Sequence, residues 1–103
     1  TISNQVSVTS NGTGIPEKYS LSQNFPNPFN PATRLTFALP ENGNVELKVY
    51  DLSGKEVAVL VNGMFSAGSY SVNFDAGKLS SGVYVYVIRS GNFTESKRMT
   101  LLK

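Results

Sequence analysis

From residue 33 onward, apolar and polar positions alternate with a period of two. Leu35, Phe37 and Leu39 alternate with Arg34, Thr36 and Ala38. Val45, Leu47 and Val49 alternate with Glu46, Lys48 and Tyr50, and Tyr70, Val72 and Phe74 with Ser69, Ser71 and Asn73. This period puts successive side chains on opposite faces of a strand, one buried and one wet. Two further stretches, Val57-Ala-Val-Leu-Val61 and Val83-Tyr-Val-Tyr-Val-Ile88, are apolar without a break. They suit strands covered on both faces, or central strands of a sandwich. Turn signals separate the runs: Asn42-Gly43, Ser53-Gly54, Asn62-Gly63, Ala67-Gly68, Ser81-Gly82 and Ser90-Gly91-Asn92. The pattern predicts strands near 18–22, 33–39, 44–52, 55–61, 69–75, 82–90 and 93–102, with no helix. The expected fold class is all-β, an antiparallel sandwich of about seven strands, the immunoglobulin-like number. Phe37, Leu47, Val49, Val72 and Phe74 are its expected core.

Residues 23–35 break the alternation. They read Gln-Asn-Phe-Pro-Asn-Pro-Phe-Asn-Pro-Ala-Thr-Arg-Leu. Pro26, Pro28 and Pro31 fix their own φ and push each preceding residue towards extended geometry. The segment can be neither helix nor central strand. It still carries two aromatics, Phe25 and Phe29. The expectation is a stiff strap anchored on its own domain by Phe25, Pro26, Pro28 and Phe29, closing one edge of the β fold. The other reading is a ligand for another protein's aromatic groove, since Pro28-Phe-Asn-Pro31 matches PxxP.

Composition narrows the chemistry. The chain has 103 residues, 40% hydrophobic and only 16% charged, against about 25% charged for an average domain. That length suits one domain with one modest core, burying roughly 65% of the unfolded surface. There is no Cys and no His, so disulfides, thiolate chemistry and the commonest general base and metal ligand are all missing. A net charge of +2 is too small to suggest nucleic-acid binding. No run of about 18 apolar residues exists for a membrane-spanning helix. The chain opens on Thr1 with no signal peptide and reads as a fragment of a longer protein. Residues 1–16 carry no charge and have linker chemistry, although Val6 and Val8 could alternate in a short strand.

Candidate sites are few. Asp51-Leu-Ser-Gly54-Lys55 resembles a metal or phosphate loop only loosely. It lacks the alternating oxygen ligands of a calcium loop and the glycine spacing of a phosphate loop. A turn in which Asp51 bonds the backbone is the simpler reading, and Asp75 suits the same role. Ser53 beside Lys55, and Ser96 beside Lys97, could pair as nucleophile and base, but no pocket signal supports them. Tyr84 and Tyr86 share a strand face with Ile88. They suit either a sugar-stacking platform or core tyrosines with satisfied hydroxyls. At the C-terminal side, Arg89, Lys97, Arg98 and Lys103 face one carboxylate, Glu95, beside the apolar run Met99-Thr-Leu-Leu102. A last strand with a charged wet face accounts for that pattern by itself.

Taken together, the motifs carry a resemblance. They are Leu21-Ser-Gln-Asn-Phe-Pro-Asn-Pro-Phe-Asn-Pro-Ala-Thr33, Leu39-Pro-Glu-Asn-Gly43 and Val49-Tyr-Asp-Leu-Ser-Gly-Lys-Glu-Val57. Then follow Ala67-Gly-Ser-Tyr70, Phe74-Asp-Ala76, Leu79-Ser-Ser-Gly-Val-Tyr-Val-Tyr86 and Ser96-Lys-Arg-Met-Thr-Leu-Leu-Lys103. In order and spacing the chain resembles the type A C-terminal sorting domain of the type IX secretion system of Bacteroidetes and related Gram-negative bacteria. Asp75-Ala-Gly-Lys-Leu79 departs from that pattern at constant length. The immunoglobulin-like domain of flagellar hook-capping proteins has a similar Val-Tyr-Asp-x-x-Gly core, but the tail favours the sorting domain.

The resemblance implies an immunoglobulin-like domain over residues 19–103, preceded by a linker and cleavage region over residues 1–18. It implies a passenger on the N-terminal side, export through the periplasm to the cell surface, and removal by a surface sortase. Implied partners are outer-membrane translocon and shuttle proteins and that sortase. No nucleic acid, membrane insertion, cofactor, metal or catalytic residue is implied. Partner recognition would fall on Lys97, Arg98, Met99, Leu101, Leu102 and Lys103. The rival expectation is a carbohydrate- or protein-binding accessory module of a secreted enzyme.

Overall fold

The computed structural model describes residues 15–103 in full and residues 6–10 by their backbone. The strands are β1 (Val6–Ser10), β2 (Ser20–Leu21), β3 (Ala32–Leu39), β4 (Gly43–Tyr50), β5 (Glu56–Phe65), β6 (Gly68–Asp75), β7 (Gly82–Ser90) and β8 (Phe93–Leu101). No helix occurs among the described residues. One sheet has the order β1-β6-β3-β2 and the other β5-β4-β7-β8, with antiparallel pairing throughout both. The seven expected strands are all present. The eighth, β1, lies in the stretch expected to be linker and pairs with β6 from Val6 opposite Phe74 to Ser10 opposite Tyr70.

Alternation decides which face of each strand is buried. The inner face of the first sheet supplies Leu35, Phe37, Leu39, Val72 and Phe74. The second supplies Val45, Leu47, Val49, Tyr84, Tyr86, Ile88, Met99 and Leu101, and all of these join one buried cluster. The five residues expected in the core are therefore all there. Fully burying an aliphatic or aromatic side chain contributes about 1.5–3 kcal/mol, so the two inner faces supply most of the stabilising energy.

Two expectations fail on β5. The Asn62-Gly63 pair does not turn: Asn62 pairs with Glu46 and Gly63 with Val45, and the strand runs on to Phe65. Nor is β5 central, since it lies at the edge of its sheet. Its ten residues oppose eight on β4, because the register skips Leu60 and Val57. Each skip is a bulge that resets which face the following residue occupies. Leu60 and Val61 are thus both buried, although adjacent. The unbroken apolar run reports bulges rather than two covered faces.

The β4–β5 connection is a turn organised by Asp51. Its Oδ1 accepts from the Ser53 hydroxyl at 2.6 Å, the Ser53 amide at 2.9 Å and the Lys55 amide at 3.0 Å. The Ser53 hydroxyl and these amides favour the carboxylate and pull the Asp51 pKa below its usual value. Gly54 takes φ +90°, where a side chain would be strained. Asp75 caps its own turn in the same way, accepting from the Gly77 amide at 2.8 Å. Both acids are turn residues, as the simpler reading had it.

Candidate recognition surface

The strap between β2 and β3 lies across the open side of the sandwich and bonds to both sheets. On the first sheet, the Ser22 amide donates to the Thr36 carbonyl and the Thr36 amide to Ser22 Oγ, both at 2.8 Å. Phe25 and Arg34 exchange both backbone hydrogen bonds at 2.9 Å. On the second sheet, the Phe29 amide donates to the Thr100 carbonyl and the Leu102 amide to the Phe29 carbonyl, again at 2.9 Å. Asn27 Oδ1 accepts from the Thr100 amide at 3.0 Å, and Gln23 Nε2 donates to the Arg98 carbonyl at 2.6 Å. The C-terminal half of β8 is therefore a covered edge, although only β7 pairs with it as a strand.

The strap is fixed from within by one side chain of the central strand β7. The Tyr86 hydroxyl accepts from the Asn24 amide and donates to the Ser22 carbonyl, both at 2.8 Å. Burial pushes the Tyr86 pKa up to about 12, because the phenolate would lose its solvation there. Around it, Asn24 Nδ2 donates to Thr33 Oγ1 at 3.1 Å and to the Pro26 carbonyl at 3.2 Å. Thr33 Oγ1 donates to that same carbonyl at 2.9 Å. Asn24 and Thr33 are both buried, and the network satisfies polar groups whose isolation would be costly. Tyr84 is buried as well and donates to the Ser80 carbonyl at 2.7 Å. Neither tyrosine can serve as a sugar platform.

The expected strap anchors divide. Phe29 is 1% exposed, its ring centroid 6.5 Å from that of Phe74. Phe25 is 79% exposed, and Pro26 and Pro28 are on the surface. The expectation that both rings pack on their own domain is corrected for Phe25. The antiparallel bridge to Arg34 turns its side chain away from the core. Pro26 and Pro28 shape the strap but do not anchor it by burial.

The expected tail residues divide in the same way. Met99 and Leu101 are fully buried on the inner face of β8, so neither can touch a partner while the domain is folded. Alternation forces this, since Arg98 and Thr100 take the outer face. Arg98, Leu102 and Lys103 are exposed and Lys97 is half-buried, its Nζ 3.3 Å from Glu95. Lys103 is tied back to the β6–β7 connection: its amide donates to Ser81 Oγ at 3.0 Å and its Nζ to the Gly77 carbonyl. Of the six tail residues, Lys97, Arg98, Leu102 and Lys103 thus reach the surface.

Sequence reasoning missed Asn24, Thr33 and Tyr86 as the group that sets the strap. Only the folded chain shows it, because Tyr86 is 62 residues from Asn24. Among the described residues, no three of His, Cys, Asp or Glu gather as a metal site requires. A family model described as a secretion system C-terminal sorting domain matches residues 23–101, from the strap to the end of β8. No curated protein matches the chain.

Proposed function

The chain belongs to the family of secretion system C-terminal sorting domains, the export signals of the type IX route, and on that premise we propose how it acts. A domain of this kind is an address carried by a passenger and read by the secretion machinery, not a catalyst. In our reading the passenger precedes the domain, crosses the periplasm and passes the outer membrane through a translocon with its shuttle protein. A cell-surface sortase then cuts upstream of Tyr19, within residues 1–18. The accessory-module reading remains the alternative if passenger delivery does not depend on the domain.

The observation that supports this reading is the extent of the family match. It takes in the strap and β8 together, the two segments that the structure ties to each other. Lys97, Arg98 and Lys103 then supply charge that steers a partner, with Leu102 as apolar contact.

The test is a passenger fused to the domain in a type IX-competent cell. Deleting Lys97–Lys103 should trap the passenger in the periplasm. That deletion also removes Met99 and Leu101 from the core, so the decisive variant is Lys97→Glu with Arg98→Glu, which spares both. Normal surface levels of the doubly substituted fusion would remove the tail from the recognition surface. Normal levels of the truncated fusion as well would favour the accessory-module reading. The N-terminus of the released domain, read by mass spectrometry, should lie before Tyr19, and a cut inside residues 33–103 would contradict the boundary.

A further inference from the structure

Beside the strap, on the outer side of the first sheet, lies a cleft of about 600 Å³ walled by Phe25, Pro26, Ala32, Arg34, Thr36 and Asn73. Its size falls in the range of ordinary binding sites, about 300–1,000 Å³. Three observations set it apart from incidental surface. First, Phe25 is 79% exposed although phenylalanine is normally buried. Second, its exposure is not looseness. The Phe25 amide and carbonyl are both bonded to Arg34, and the carbonyl of Pro26 next to it accepts from both Asn24 and Thr33. The ring is held out in solvent by a backbone that has no freedom to fold it away. Third, Arg34 is exposed and opposite Phe25 in the antiparallel bridge, so the two side chains emerge on the same side. Among the described residues the ion pairs are Lys48 with Glu56 and Lys97 with Glu95, so no carboxylate neutralises Arg34.

We infer that this cleft is a second docking element of the sorting domain, distinct from the tail, and that it takes a protein surface offering a hollow for the Phe25 ring and a carboxylate for Arg34. The inference rests on the sorting reading above. The occupant follows from the site's chemistry. Phenylalanine and arginine are both enriched at protein–protein interfaces relative to the rest of the surface. A planar guanidinium without its own carboxylate is met best by a bidentate carboxylate. A saccharide is the poorer fit. Ser22 Oγ and Thr33 Oγ1 at the cleft are already bonded within the domain, which leaves few side chains to meet sugar hydroxyls. Docking would cost little ordering entropy, because the strap is already fixed.

The experiment uses the passenger fusion in secreting cells, with four single substitutions. Phe25→Ala, Arg34→Glu and Arg34→Gln should each lower surface delivery, by on the order of tenfold for the first two and less for the third. Arg34→Lys should fall between Arg34→Gln and the parent, because it keeps the charge but loses the bidentate fork. Both side chains lie outside the core, so thermal unfolding of the purified variants should match the parent and exclude misfolding as the cause. Normal delivery of Phe25→Ala and Arg34→Glu, while Lys97→Glu with Arg98→Glu fails, overturns the cleft and leaves the sorting reading standing. Normal delivery of all of these, and of the tail deletion too, overturns both. Arg34→Gln delivering as well as the parent overturns the carboxylate. Titration of the purified domain with maltohexaose or hexagalacturonate that Phe25→Ala abolishes would assign the cleft to sugar instead, and overturn a protein occupant.

Discussion

Phe25 and Phe29 sit four residues apart on one strap, and each is followed or preceded by proline, yet they have opposite fates. Phe29 is buried against Phe74, and its backbone joins the strap to β8. Phe25 stands in solvent, and its backbone joins the strap to β3. The prolines do not decide between them, since each ring has one beside it. The partner strand decides. The strap runs beside both strands: Phe29 bridges the buried Leu101 of β8 in parallel, so the pleat sends its ring inward with that side chain. Phe25 bridges the exposed Arg34 of β3 in antiparallel fashion, so the pleat sends its ring outward. Local stiffness says that a segment will lie on something, while the neighbour's pleat says which side chains go in.

The largest effect should come from the buried member. Phe29→Ala removes a fully enclosed ring from the core and should cost about 3–5 kcal/mol in denaturant unfolding. A loss under about 1 kcal/mol would mean that the strap contributes little and that the contrast with Phe25 is false. Next comes the tyrosine that holds both halves of the strap in place. Tyr86→Phe leaves the Asn24 amide and the Ser22 carbonyl without their partner and should cost about 1–3 kcal/mol. A neutral outcome would show that the strap is set by its β3 and β8 contacts alone.

The same residue gives a pH signature. Its folded pKa, at about 12, lies above the ordinary value of 10, so the unfolded chain ionises first as the pH rises. The stability that Tyr86 contributes is complete below about pH 10 and is lost as the pH rises towards 12. Unfolding followed across that window should show a decline that Tyr86→Phe reduces; parallel declines in parent and variant would assign the effect elsewhere. The smallest effect should be Phe25→Ala, within about 0.5 kcal/mol of the parent. A cost near that of Phe29→Ala would mean that its ring is packed after all, and would remove the basis for reading it as a docking residue.

These two phenylalanines also mark how far sequence reasoning reaches. Period-two alternation, unbroken apolar runs and turn signals together located seven strands, and alternation gave the five core residues, because burial on one face of a pleat is a local property. Where a bulge shifts the register, as at Val57 and Leu60, the same alternation misleads, and β5 looked central and too short. The tail shows the limit more sharply. The family resemblance placed Met99 and Leu101 among the partner contacts of the tail. Once β8 pairs with β7, alternation sends those two inward and leaves Arg98 outside. Tyr86 could be recognised as a residue that needs a hydrogen-bond partner, but not that its partners would be Ser22 and Asn24. Contacts across some 60 residues depend on the topology, and no local signal encodes them.

The ties between strap and last strand also bear on when this domain becomes folded. Gln23 meets the Arg98 carbonyl across 75 residues of chain, and Asn27 meets the Thr100 amide across 73. Contacts of such high sequence separation demand loop closure before they return any stabilisation, and folds built on them form slowly, in about milliseconds to seconds. The strap precedes β8 in the chain, and its Gln23, Asn27 and Phe29 bonds cannot form until residues 98–102 exist. A ribosome that stalls before them would release a chain with an unclosed sandwich and an undocked Phe29. The strap therefore works as a latch that closes fully only once β8 has been made.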